Sequence, residues 1–136
     1  MGQRCKIMLL CELQLLSHFH GHIGPYAVIG YMIGLIAVER LAPKKHSAMK
    51  CIVKTGTKPP VSCIIDGIQF SSSCTLGKGN ISVADKGKAE AVFECAGKKL
   101  KIKLRPEIQK KIDAEMSHEK EEEQSIYYYK MMEKRF

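Results

Sequence analysis

Apolar and polar positions recur along this chain with a period that changes several times, and each change marks an element. Between residues 6 and 19 apolar side chains recur at Ile7, Leu10, Cys11, Leu15 and Phe19, close to the repeat of an amphipathic helix. Gly21 is a stop signal, and Pro25 suits the first turn of a second helix running to about Leu41. Met49, Cys51 and Val53 then alternate as a strand does. The Pro59-Pro60 pair breaks the chain, with Ser62 available to cap a short helix over VSCIIDGIQF. A loop rich in Ser, Gly and Thr follows, SSSCTLGKGN. The segments ISVAD, AEAVFECA and KLKIKLR read as three strands, with turns at Lys86-Gly87 and Gly97-Lys98. Pro106 opens a charged helix that carries Ile108, Ile112 and Met116 on one face. No internal repeat and no second domain is visible, so the pattern predicts one domain over residues 1–105 and a helical extension over 106–136.

One stretch invites a different reading. Residues 23–38, IGPYAVIGYMIGLIAV, are apolar enough for a membrane helix, and Gly30 and Gly34 are spaced G-x-x-x-G. The run is only 16 residues before Glu39 and Arg40, short of the roughly 20 that a bilayer needs. A buried core helix is the expectation, with no membrane partner, and its two glycines would let a neighbouring element approach closely.

Composition agrees with one globular domain: 136 residues, 45% hydrophobic and 26% charged. The net charge of +8 is unevenly spread, because residues 1–105 hold 16 Lys/Arg against 6 Asp/Glu while 106–136 hold 6 against 8. A basic surface attracts anions, which leaves a small anionic ligand as one expectation and an ordinary solvated surface as the other. No Arg-rich run and no interleaving of basic with aromatic residues is present, so nucleic acid is not expected. Six cysteines stand at 5, 11, 51, 63, 74 and 95 without a C-x-x-C pair. No secretory signal precedes them, and MGQRCK has Lys6 where a myristoylation motif wants Ser or Thr. The expected compartment is the reducing cytoplasm, with thiols or metal-bound cysteines rather than disulfides.

Chemistry concentrates at two places. The first is His18-Phe19-His20-Gly21-His22. If Gly21 breaks the helix, His20 and His22 can converge beside the N-terminus of the next helix, with its unpaired N–H groups. Alternatively these histidines only cap the junction. The second is Cys63, Asp66, Gln69 and Cys74. Cys63 and Asp66, three apart, share a helix face, and a thiol in a first helical turn is biased toward thiolate. Cys74 lies just past the helix end. Zinc and similar metals take imidazole and thiolate together, usually as four ligands; the competing reading makes Cys63 and Cys74 small core residues. TLGKGN does not fit the phosphate loop G-x-x-x-x-G-K-[ST], so its glycines either make a tight turn or, with Lys78, hold an anion.

The string Phe19-His20-Gly21-His22-Ile23-Gly24-Pro25, then Gly30-Tyr31, Cys63-x-x-Asp66-Gly67-Ile68-Gln69, Cys74-Thr75-Leu76-Gly77-Lys78-Gly79-Asn80 and Asp85-x-Gly87-Lys88 resembles the FmdE-like family of formylmethanofuran dehydrogenase proteins from about residue 10 to 105. The resemblance implies an α+β fold, an α-β-α-β-β-β single domain with a mixed sheet (FwdE/GAPDH-domain-like), here followed by a C-terminal helix. It implies a metal pocket in which His20, His22, Cys63 and Cys74 occupy the ligand positions, zinc or another transition metal being the expected cofactor. It also implies one-carbon or methanogenic metabolism, a homodimer and partner proteins within an enzyme complex. The family pattern H-G-H-x-C-P-G is broken here, since Gly24 stands in place of its cysteine and Tyr26 in place of its glycine. Residues 106–136 contain no cysteine, so the paired C-x-x-C ribbon of many relatives is missing, and the YYYKMM cluster fits either an interface or local packing. No cluster spacing such as C-x₂-C-x₂-C and no dinucleotide fingerprint appears. Three functions follow: a metal-binding accessory protein, a small metal-dependent enzyme with Asp66 as acid/base candidate, or a metal-free structural or interaction protein.

Overall fold

The computed structural model of the protein describes residues 3–115. Met116 and the YYYKMM cluster lie outside the described residues. Helix α1 (Gln3–His20) is followed by α2 (Pro25–Leu41), strand β1 (Met49–Val53), α3 (Ile64–Ser72), β2 (Ile81–Val83), β3 (Glu90–Cys95), β4 (Lys98–Lys103) and α4 (Pro106–Glu115). The strands form one sheet in the order β2-β1-β3-β4. β1 and β2 are parallel, joined across α3, whereas β1/β3 and β3/β4 are antiparallel. This is the mixed-sheet α+β architecture expected from the resemblance, closed by a C-terminal helix.

The sheet is two-faced, as the period-2 alternation requires. Met49, Cys51 and Val53 of β1, Ala91, Phe93 and Cys95 of β3 and Ile102 of β4 are buried. The opposite face sets Glu94 across from Lys50 and Lys99, and Val92 across from Ile52 and Lys101. Tyr26, Ile29 and Ile33 of α2, Ile64 and Ile68 of α3, and Ile108 and Ile112 of α4 complete the core on the apolar side. No single helix among the described residues is long and apolar enough to cross a membrane; α2 instead buries Pro25 to Gly34 without interruption.

The closest packing is between α2 and α3, and glycine makes it. A Cβ at Gly30 would meet the backbone carbonyl of Ile64, one at Gly34 the Ser71 hydroxyl, and one at Gly67 the backbone of Ala27 and Tyr31. The G-x-x-x-G spacing of α2 therefore serves close approach of a neighbour, as expected.

Three local expectations are corrected. The apolar positions singled out on α1 are its exposed side: Ile7, Leu10, Leu15 and Phe19 all stand outside, while Leu13 and Leu16 are buried and pack with Ala27, Val28 and Tyr31 of α2. Leucines lie all around α1, so periodicity indicates a helix without choosing its buried face. Ser62 does not cap α3; it lies in a 3₁₀ turn (Val61–Cys63), and Cys63 takes the N-cap position without a side-chain capping bond to the helix. The β3–β4 hairpin turns one residue earlier, on Ala96 (φ 51°) and Gly97 (φ 78°), between paired Cys95 and Lys98. Two left-handed residues match the twist of a tight hairpin.

Candidate functional site

α1 ends on His20 because Gly21 takes φ +97°, a conformation costly for other residues; its N–H still closes the last turn on the Ser17 carbonyl at 2.8 Å. The chain then reverses through His22 and enters α2 with Gly24 at the N-cap and Pro25 in the first turn. This reversal brings the His20 and His22 rings to a centroid distance of 4.8 Å. Gly21 breaks the helix as expected, and the two imidazoles come to lie side by side.

The third member is Asp66, on the first turn of α3. His20 Nδ1 lies 2.5 Å from Asp66 Oδ2, so the ring donates Nδ1–H to the carboxylate and its other nitrogen, Nε2, faces away from that partner. The His20 side chain is only 8% exposed against 38% for Asp66. Its Nε2 is buried with no hydrogen-bond partner among the described residues. Buried polar atoms are nearly always paired, which makes His20 the residue of this corner that stands out for a functional role. The carboxylate–imidazole pair behind it is the arrangement that orients metal-binding and proton-accepting histidines.

The four residues expected as metal ligands are not gathered into one group. Among the described residues no three His, Cys, Asp or Glu side chains stand where they could hold a metal together. Cys63, half-buried, opens α3 one turn before Asp66. Cys74 is fully buried in the core that also contains Met49, Cys51 and Cys95, and its thiol points at the Met49 carbonyl, 3.5 Å away. Burial pushes the Cys74 thiol above its ordinary range, only partly offset by the Ser72 hydroxyl and the Lys78 charge; burial does the same to Cys51. A thiol held protonated in an apolar core is a poor ligand.

The loop after α3 resolves another choice. The Thr75 N–H donates to Asn80 Oδ1 at 2.8 Å and the Leu76 N–H to Gln69 Oε1 at 3.0 Å. The N–H groups of Lys78 and Gly79 close the turn on the carbonyls of Thr75 and Leu76, and Lys78 Nζ donates to Thr75 Oγ1 at 2.8 Å. These donors are committed to the loop itself, which supports the tight-turn reading of TLGKGN over an anion cradle. Asn80, 7% exposed, anchors the loop by donating to the Met49 carbonyl at 3.1 Å. Sequence reasoning missed two features. One is this polar chain, in which Gln69 also approaches Asp66 Oδ1 at 3.5 Å. The other is an aromatic rim beside His20, where Phe70 lies 6.4 Å from Phe19 and 6.0 Å from Tyr31.

The match to known proteins is decided by a family model covering residues 19–135, described as FmdE, molybdenum formylmethanofuran dehydrogenase operon. The chain belongs to the FmdE family. It is also 32% identical over 78 residues to a probable S-adenosyl-L-methionine-binding protein of Archaeoglobus fulgidus, an alignment covering 53% of this chain and 20% of that protein. The chain thus spans about a fifth of the length of that relative. His20, His22, Asp66 and Cys74 all fall inside the stretch matched by the FmdE model.

Proposed function

We propose that this FmdE-family chain is an accessory protein of one-carbon chemistry linked to formylmethanofuran dehydrogenase, and that its His20–His22 corner binds one transition metal ion, zinc before others. The observation that carries the reading is the buried, unpartnered Nε2 of His20 backed by Asp66. His20 and the adjacent His22 supply two imidazoles, and Cys63 at the head of α3 is the thiolate proposed to move in to join them on metal binding, since no three donors are assembled beforehand among the described residues. Bound there, a metal would supply Lewis acidity, and a coordination position left by the missing thiolate at Gly24 would be open to water or a small ligand. In this role Asp66 holds His20 rather than transferring a proton itself. The S-adenosylmethionine of the Archaeoglobus protein is not part of the proposal, because the alignment reaches only a fifth of that protein.

A second reading has its own support. With no three-donor group assembled among the described residues, a metal-free interaction protein that keeps the His20–Asp66 pair as a remnant is the alternative. Metal analysis of untagged protein, before and after equilibration with zinc and then gel filtration, separates the two. About one metal ion per chain, lost in His20→Ala, is expected. No retained metal in the wild type would leave the interaction role standing.

A further inference from the structure

We propose that the groove between the start of β3, the end of β4 and the head of α4 binds a small phosphomonoester that also carries a hydroxyl group, a molecule with the size and chemistry of a sugar phosphate. The groove is a cavity of about 440 Å³, within the range of about 300–1,000 Å³ usual for small-molecule sites. Its walls carry the exposed Lys88, Lys103 and Arg105, and buried Ala89, Glu90 and Leu104 lie beneath them. None of these residues belongs to the His20–His22 corner. The backbone holds the groove in place. β3 and β4 stay in register up to Glu90 and Lys103, and the Leu104 N–H then donates to the Ala89 carbonyl at 2.9 Å. Ahead of β3 the Glu90 N–H donates to the Lys88 carbonyl at 2.9 Å, a three-residue turn, and the Lys88 N–H donates to the Lys54 carbonyl at 2.9 Å. The Arg105 carbonyl accepts the N–H groups of Ile108 and Gln109 at 3.0 Å each and so starts α4. The three cationic side chains therefore leave from fixed backbone, and Lys88, the end of the Asp85-x-Gly87-Lys88 motif, gains a place in a site.

Lysines on an edge strand such as β4 ordinarily do no more than discourage pairing with other strands. Glu90 sets this group apart. Its side chain is only 8% exposed, and its nearest cations, Lys54 and Lys101, stand at 3.7 and 3.9 Å, beyond hydrogen-bond length. A buried carboxylate without hydrogen bonds is costly, and a ligand hydroxyl reaching the floor of the groove would supply one. The side chains of Lys88, Lys103 and Arg105 have neither a hydrogen bond nor an ion pair among the described residues. Five cations thus surround one carboxylate, and the group as a whole attracts an anion. A phosphomonoester presents three terminal oxygens, one for each of the three unpaired cations, and such charge-assisted bonds are the strong kind. A carboxylate has only two oxygens to offer, and an uncharged sugar has no charge. Ala89 and Leu104 give the carbon skeleton an apolar strip to rest on. The small anion expected from the net charge of +8 is therefore assigned here rather than to TLGKGN, whose donors are already used.

Titration of the isotope-labelled full chain with ribose 5-phosphate, followed by backbone amide shifts in about 0.1 M salt, tests the site. Saturable shifts are expected over residues 87–90 and 103–109. Inorganic phosphate should move the same amides with roughly 5-fold weaker affinity, for want of a hydroxyl on Glu90; ribose alone should move none. Lys103→Gln and Arg105→Gln should each weaken ribose 5-phosphate roughly 10-fold, the loss of one charge-assisted bond. Lys99→Gln removes the same charge from the same strand, four residues and about 13 Å away from Lys103. That is beyond the Debye length of about 10 Å, so its effect should stay under about 2-fold. Glu90→Gln should bring the sugar phosphate and inorganic phosphate closer to equal affinity. The amide spectrum of each variant also reports that the fold is kept. Absence of saturable shifts with ribose 5-phosphate would overturn the proposal, as would a Lys99→Gln loss equal to that of Arg105→Gln, which is the mark of a diffuse basic surface. Inorganic phosphate binding as tightly as the sugar phosphate to the wild type would overturn the ligand class and the role of Glu90.

Discussion

Tyr26 occupies the place where the family pattern has a glycine, and its side chain has a partner far along the chain: the hydroxyl donates to Asp113 Oδ1 at 2.5 Å. Burial, and after it the bond to Asp113, pushes the phenol well above its ordinary value near 10. A group whose folded pKa is raised contributes stability that is complete below its unfolded pKa and is lost as pH rises above it. Tyr26→Phe is therefore expected to cost about 1–2 kcal/mol at neutral pH. The difference from wild type should shrink above about pH 10, as urea denaturation across that range would show; a constant difference would remove the hydroxyl from the account. Cysteine substitutions test the site in the same residue-by-residue way. Cys63→Ser should lower bound metal per chain, whereas Cys74→Ala should keep metal per folded chain and cost about 1 kcal/mol of stability through lost packing. The reverse pattern would put the Cys74 thiol at the metal and show that it leaves the core. The sequence displays the chemistry-bearing residues but not their partners. Convergence of His20 with His22 follows from Gly21, a local cause. The bond from His20 to Asp66 spans 46 positions, and no local pattern encodes it.

Elements are more legible than faces. Gly21, Pro25, Pro59-Pro60 and Pro106 punctuate the chain at the junctions where α1, α2, α3 and α4 end or begin, because glycine and proline act on the backbone directly. The buried side of α1 is not legible, since leucines on both sides satisfy helical periodicity and only the position of α2 chooses between them. Nor is the start of α3, where Pro60 opens a 3₁₀ turn and the hydroxyl of Ser62 is left without the N-cap position. What the sequence does signal, and the structure explains, is the glycine seam between α2 and α3. Gly30→Ala would press a methyl group onto the Ile64 carbonyl, a backbone atom that cannot rotate away. The expected cost is about 1–3 kcal/mol, read as a lower urea midpoint at unchanged slope. Gly77→Ala, with nothing within 4 Å, is the control and should change stability by less than about 0.5 kcal/mol. Equal effects at the two positions would mean that α2 and α3 separate at little cost.

At the scale of the whole molecule, the question is whether the C-terminal helix is an appendage or part of the fold. Hydropathy alone suggests a boundary at residue 105, because the segment after it turns charged and its mean character is polar. The buried pattern of α4 argues for integration. Ile108 and Ile112, 4% and 0% exposed, enter the same core as Tyr26, Phe93 and Ile102, and Asp113 accepts the Tyr26 bond across 87 positions. α4 thus joins the N-terminal half of α2 to the last strand and lies against the start of the element that follows the His20–His22 corner. A small domain has about 5–15 kcal/mol of net stability, and a fully buried isoleucine truncated to alanine removes about 2–5 kcal/mol of it. Ile112→Ala should accordingly lower the thermal midpoint more than Ile52→Ala, whose side chain is 46% exposed on the open face of the sheet. A chain ending at Arg105 would lose both isoleucines and leave the Tyr26 hydroxyl buried without its acceptor. Its expected behaviour is loss of cooperative unfolding in calorimetry, and with it loss of metal retention. A 1–105 fragment that unfolds cooperatively near the wild-type midpoint would show that α4 only rests on a complete domain.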